Sequence, residues 1–162
     1  MALNVHLWIT GTTQGEIRGD STVTSMNRGG TIEGLWLEHM VHVQSEASGL
    51  ATGERSHTPI KIKKRLDRSS PLLHQALCNN EELEITIKFY RPNPDGDGTT
   101  EQFYTIRLRQ ARVSSIKTIL PYTLSSSTEA EPVMEEVSFV FGTINYIYER
   151  DGIEYEDEWR RA

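Results

Sequence analysis

Apolar and polar residues alternate with a period of two along most of this chain, and that pattern constrains the fold more than any other feature. Leu3, Val5, Leu7 and Ile9 share one face of an extended segment, with Asn4, His6, Trp8 and Thr10 on the other. The spacing recurs at Ile85, Ile87 and Phe89, at Tyr104, Ile106 and Leu108, at Val137, Phe139 and Phe141, and at Ile144, Tyr146 and Tyr148. Successive side chains of a strand point to opposite faces, so each run offers one face to a core and the other to solvent or a partner. Several such runs with turn residues between them predict a mainly β protein, a sandwich or barrel. Trp8, Val140 and Ile147 interrupt the polar faces, so some outward faces are expected to be covered too.

One segment departs from the pattern. A capping serine precedes Pro71, which is expected at the first helical position, where its missing N–H would be unpaired anyway. Leu72, Leu73, Ala76 and Leu77 then form a stripe at helical spacing, and Asn79-Asn80 supplies a left-handed stop. The prediction is one short amphipathic helix docked on a sheet, with Cys78 as a small packed side chain. The turn residues of 92–98 imply a hairpin of 84–91 with 102–109. The stretch from Gln44 to Thr58 has little apolar content and two glycines, and reads as a long loop, functional or mobile at that length. A second polar stretch runs from Ser125 to Pro132.

A length of 162 residues favours one domain, 1–162. Seventeen Lys and Arg stand against 23 Asp and Glu, a net charge of −6 that argues against a general nucleic-acid binder. The single cysteine excludes an internal disulfide framework and a cysteine-rich zinc site. No apolar run approaches the ~20 residues of a membrane helix, so no membrane insertion is expected. The first residues carry no signal-peptide pattern. These features describe a soluble domain folded in a reducing compartment.

The search for reactive chemistry returns little. His39 and His42 are three apart, but 40–43 reads as a strand, which places them on opposite faces, and no third metal ligand accompanies them. Asp95, Asp97 and Gly98 lack the spaced ligands and closing glutamate of an EF-hand and read as a solvated tip. Neither a phosphate-binding glycine loop nor a Gly-x-Ser-x-Gly elbow is present. His74 lies one helical turn before Cys78, a conceivable nucleophile pair, but a lone cysteine on an amphipathic helix is normally packing. No catalytic, cofactor-binding or metal-ligating residue is assigned, and no enzymatic activity or cofactor is expected.

Two charge clusters remain. Lys61, Lys63, Lys64, Arg65 and Arg68 form a basic stretch, and Glu149, Asp151, Glu154, Glu156, Asp157 and Glu158 an acidic one relieved by Arg150. Each alone is an ordinary solvated face. Together, opposite charges on different surfaces suit head-to-tail contacts, which close into rings or continue as filaments. Tyr155 and Trp159 either anchor such a contact or cover the subunit's own core.

Several of these segments, in order, resemble the Hcp (haemolysin-coregulated protein) tube subunits of the bacterial type VI secretion system. The resemblance runs from the first strand and turn, Leu7 to Gly19, through Ile32-Glu33-Gly34 and the stretch Gly53 to Lys61. It continues through the helix Ser70 to Leu77, Ile87 to Arg91 and Val137-Ser138-Phe139, and ends at Asp157-Glu158-Trp159-Arg160. It implies a small β-barrel of two sheets with one flanking helix, similar to contractile-phage tail-tube subunits. It further implies homohexameric rings that stack into a tube inside a contractile sheath, capped by a spike protein and able to hold effector proteins in the lumen. Such a subunit is assembled in the bacterial cytoplasm and exported without a cleavable signal. By position, the resemblance gives the 44–58 stretch a subunit-contact role, through Gln44, Ser45, Glu46, Gly49, Leu50, Gly53, Glu54, Arg55 and His57. Lys61, Lys63, Lys64 and Arg65 against Glu154, Glu156, Asp157 and Glu158 are the candidates for charge contacts between stacked rings. The alternative class is a β-barrel binding module, or a phage tail-tube-like protein without a secretion role. An enzymatic extension, as some tube proteins carry, finds no room before Ala162.

Overall fold

The computed structural model describes residues 1–159; Arg160, where the resemblance ends, lies outside the described residues. In chain order the elements are β1 (Val5–Gly11), β2 (Gly15–Ile17), a 3-10 turn (Ser25–Asn27), β3 (Ile32–Glu38), β4 (Val41–Ser45), β5 (Ala51–His57) and β6 (Ile60–Arg65). After them come α1 (Ser69–Cys78), β7 (Leu83–Pro92), β8 (Thr100–Ile119), β9 (Met134–Val140), β10 (Thr143–Tyr148) and β11 (Ile153–Glu158). The protein is mainly β with one short helix, as the alternation requires.

The strands pair in the order β8-β7-β1-β3-β6-β9, and β9 pairs back onto β8, so the six close into a barrel. Every pairing is antiparallel. Closure depends on the length of β8. Its first half lies between β7 and β10, with Ile106 opposite Ile87 and Tyr146. Its second half pairs with β9, Val113 opposite Phe139. The change of partner falls at Gln110, which adopts the left-handed conformation (φ 51°). Gly142, between β9 and β10, donates its N–H to the carbonyls of Arg109 and Gln110. A Cβ there would stand 2.4 Å from Gln110 Oε1 and 3.0 Å from its Cβ, so a larger residue would have to displace the Gln110 side chain from this bend.

The alternation maps onto the barrel interior. Leu7, Ile9, Ile62, Ile85, Ile87, Leu108, Val137 and Phe139 are buried together, each burial stabilising by about 1.5–3 kcal/mol. His6, expected on the outward face, is buried as well. Its Nδ1 lies 2.8 Å from Thr31 Oγ1 and its ring meets Tyr90 edge-on. Arg28, from the segment folded over this part of β1 and β7, sits 4.5 Å above the Tyr90 ring.

The helix packs against β8 and β2, burying Leu73 and Ala76. Its N-terminus is capped by Asp67 rather than by a serine next to Pro71. Asp67 Oδ1 accepts from the Ser69 N–H at 2.9 Å, while Ser70 Oγ accepts from the Asp67 N–H at 3.0 Å, a reciprocal capping arrangement. Pro71 is the third residue of the α1 span Ser69–Cys78 rather than its first. Asn80 supplies the left-handed stop (φ 49°). Cys78 is exposed, not packed, because the buried stripe follows Leu73 and Ala76 around the opposite side.

Candidate functional site

The stretch expected to be a loop, Gln44 to Thr58, is for the most part a β-hairpin standing off the barrel as a separate two-stranded sheet. Val41 pairs with His57, His42 with Ser56, Val43 with Arg55 and Ser45 with Ala51. The tip is closed by Glu46 N–H to the Leu50 carbonyl and Gly49 N–H to the Glu46 carbonyl, both 2.8 Å. All of β4 is exposed, and β5 is exposed until Arg55. Of the sequence-derived contact residues, Gln44, Ser45, Glu46, Gly49, Leu50, Gly53 and Glu54 therefore face solvent on both strands and the tip. Arg55 and His57 do not belong with them. They form the root that fastens the hairpin to the barrel.

At that root, Arg55 grips Asp157 of β11 with Nε and one terminal nitrogen, each 2.5 Å from a different carboxylate oxygen. His57 Nε2 reaches the same carboxylate at 2.8 Å. The two donors and the backbone N–H of Glu158 hold the Asp157 carboxyl well below the usual carboxylate range, with the Arg55 hydrogen bond the largest cause and burial opposing it. Arg55 is correspondingly shifted upward. His39, just before β4, stacks on His57 with ring centroids 5.5 Å apart. It also reaches Tyr146 OH of β10 through Nε2 at 3.0 Å and the Thr58 carbonyl through Nδ1 at 3.2 Å. Burial and then the neighbouring His57 lower the His39 pKa, against the Thr58 hydrogen bond. Burial pushes the Tyr146 hydroxyl up to about 12. Phe141 and Trp159 complete the wall, 4.8 Å apart edge to face, so Trp159 covers the subunit's own core. Tyr155 remains exposed.

The charge clusters divide in the same way. Lys61 and Lys63 are half-buried on the outside of β6, Lys63 lying 4.7 Å over the Trp36 ring, and Arg65 and Arg68 are exposed. Glu154, Glu156 and Glu158 project from one face of β11, with Glu156 bound to Arg109. Lys64 and Asp157 leave the solvated set. Lys64 follows Ile60 and Ile62 into the barrel, 2 % exposed, where Nζ contacts Glu135 Oε1 at 2.5 Å, Asp67 Oδ1 at 2.9 Å and Ser70 Oγ at 3.2 Å. Asp157 is enclosed by Arg55 and His57. Both are consumed by partners in their own subunit and are unavailable for ring-to-ring charge contacts.

His39, Tyr146 and Phe141 belong to this site although no local signal marks them, because their partners lie about a hundred residues away. His42 is exposed on β4 and takes no part. Among the described residues no group of three or more His, Cys, Asp or Glu is placed to hold a metal ion. His74 and Cys78 both face solvent on α1.

A closed barrel with a flanking helix and a projecting hairpin fits a specific set of relatives. The family model described as "Type VI secretion system effector, Hcp" matches residues 6–148. The chain is 30% identical over 169 residues to the "Major exported protein" of Pseudomonas aeruginosa, spanning 99% of this chain and 97% of that protein. A crystal structure of an Hcp protein superposes with a TM-score of 0.85 at 28% identity, covering 98% of this chain and 99% of the other. The secreted protein Hcp3 from Pseudomonas aeruginosa superposes at 0.76 with 25% identity, covering 99% and 100%. This protein belongs to the Hcp family of the type VI secretion system.

Proposed function

We propose that the chain is an exported tube subunit, a structural rather than an enzymatic protein. It forms homohexameric rings that stack into the inner tube of the secretion apparatus, inside the sheath and behind the spike, with effector proteins carried in the lumen. The observation that carries this reading is the β4–β5 hairpin: among the eleven strands of the described residues, this pair contributes no buried apolar residue to the barrel core. A projecting sheet so anchored is suited to contact a neighbouring subunit. The half-buried Lys61 and Lys63 and the exposed Arg65 on the outside of β6, with the glutamates of β11, support stacking through charge, as heterologous contacts require. The similarity to an exported protein and to a secreted one supports the route out of the cell.

The test is the solution mass of the purified protein by light scattering at low and high salt. A mass near six subunits is expected. Longer stacks should shorten as salt rises, since exposed charges are screened over about 8 Å at physiological ionic strength. A monomer at every concentration and salt overturns the ring reading and favours a barrel that serves as a binding module.

A further inference from the structure

Exposed apolar side chains that stand singly, as Met26 and Leu66 do here, are ordinary on a protein surface. Two groups among the described residues are clustered instead, and clustered apolar exposure marks a site of interaction. The first follows β8, where Leu120, Tyr122 and Leu124 are 68%, 69% and 83% exposed. Consecutive turns hold this segment in shape. The Ser125 N–H and, at 2.7 Å, the Thr128 hydroxyl donate to the Tyr122 carbonyl, and the Glu131 N–H donates to the Thr128 carbonyl. The result is an ordered knob that presents two leucines and a tyrosine to water.

The second group lies where the sheet runs past the barrel. β10 and β11 extend it beyond the six closed strands, and the inner face continues onto them, Tyr146 opposite Ile106 and Tyr155 opposite Tyr146. The hairpin root covers this face at Asp157. Further along β11, Tyr155 and Ile153 are left 61% and 63% exposed, while Glu154, Glu156 and Glu158 point to the other face. The hairpin supplies a second wall. Val41 stands opposite His57 and Val43 opposite Arg55, so both exposed valines share the face that the root turns toward β11. These four side chains frame an apolar notch.

Knob and notch sit at opposite ends of β8. Ile119 adjoins the knob, and Tyr104 pairs with Tyr148, which pairs with Ile153 of the notch. The two landmarks are 15 residues apart (119 minus 104), roughly 50 Å of strand. A heterologous contact needs this arrangement: two unlike patches, remote from each other on every copy, so that each copy gives one and receives one. We propose that the Leu120–Leu124 knob of one copy seats in the notch framed by Val41, Val43, Ile153 and Tyr155 of the next, and that this apolar contact closes the ring. The inference rests on the ring reading and gives that ring its joint. Salt screens exposed charges but does not weaken apolar burial, so rings should persist at the salt concentration that shortens stacks.

Light scattering over a dilution series of the full chain at high salt tests the joint. The unaltered protein should keep the mass of a ring. Leu120→Ser with Leu124→Ser, and Ile153→Ser with Tyr155→Ser, should each raise the concentration at which the ring half-dissociates by about tenfold or more. The circular dichroism spectrum should not change, since the replaced side chains are exposed. Leu66→Ser, at a solitary leucine, should leave the ring as it is. Pairing is read separately. With Cys78→Ser removing the native thiol, Leu124→Cys and Tyr155→Cys on one chain should cross-link through a short bismaleimide into a ladder reaching the full ring. Either cysteine alone should stop at dimers. Rings of undiminished stability in both apolar variants overturn the joint and leave the ring reading standing, as does a double-cysteine ring that yields no ladder. A monomeric unaltered protein overturns both. If Ile153→Ser with Tyr155→Ser does not fold, the knob variant and the cross-link still decide.

Discussion

His57 Nε2 donates to Asp157 Oδ2 across 2.8 Å, joining residues 100 positions apart. This bond, with the Arg55 grip on the same carboxylate, ties an otherwise solvent-facing hairpin to β11. Asp157→Ala should leave two donors without their acceptor, one of them fully buried, at about 1–3 kcal/mol. Urea unfolding would read this as a lower midpoint at unchanged slope. An unaltered midpoint would mean that the hairpin root adds nothing to stability.

Lys64 and Glu135 are direct cross-strand partners inside the barrel. Removing one strands the other. Lys64→Met should cost about 3–5 kcal/mol, whereas the double change with Glu135→Leu should recover most of that loss. A double-mutant cycle with no coupling between the two positions would contradict the assignment.

Stability should depend on pH in two steps. His39 and Asp157 both have native values below their ordinary ones, so the unfolded chain binds more protons and stability falls with acidity. The first loss should begin near the ordinary imidazole value of 6.5 and shrink in His39→Gln, the remainder belonging to His6, whose value burial also lowers. The second should begin near the ordinary carboxyl value of 3.8 and shrink in Asp157→Asn, Asp97, lowered by its Thr99 hydrogen bonds, keeping a share. Each has a ceiling of about 1.4 kcal/mol per pH unit. Urea midpoints measured across the range give both.

The hairpin tip offers a cleaner test of assembly than deletion of the whole hairpin, which would expose Phe141 and Trp159. Replacing Glu46–Leu50 by Asn-Gly removes exposed residues and keeps Arg55 and His57 in place. Subunit melting should shift by no more than a few degrees, while the mass by light scattering drops below that of the ring. A full-size ring would release the tip from any role in contact.

At the β8 bend, Gly142→Ala places a Cβ against the Gln110 side chain and should cost about 1–3 kcal/mol. Gln110→Gly removes that side chain and relieves a positive φ, so the same Gly142→Ala change should cost less in its presence. Thermal melts of the four combinations measure it.

The barrel was legible because its strands alternate against a core, as at Ile85-Ile87 and Val137-Phe139. The helix was legible from its stripe and stop. Of the β4–β5 hairpin only the start of β4 was legible, as the strand over 40–43; β5 was not, because a strand that pairs over no apolar core carries no period-two signal. β11 was read as a run of acid for the same reason. Lys64 and Asp157 looked solvated because composition counts charges without partners. Glu135 and Arg55 become their partners only once the topology brings β6 to β9 and β5 to β11.

The double role of β8 orders the events of folding. The β7–β8 and β10–β11 hairpins join neighbours in the chain, and such units form within about 1–10 μs. The pairing of β6 with β9, Ile60 against Phe139, must wait for a long loop to close. A chain emerging from the ribosome therefore carries β6 and the second half of β8 with unpaired edges until β9 appears, and such edges invite pairing with other chains. Insertion of β9 covers the edges of β6 and of the second half of β8 together, which makes residues 134–140 the segment whose delay prolongs the nascent protein's exposure to aggregation.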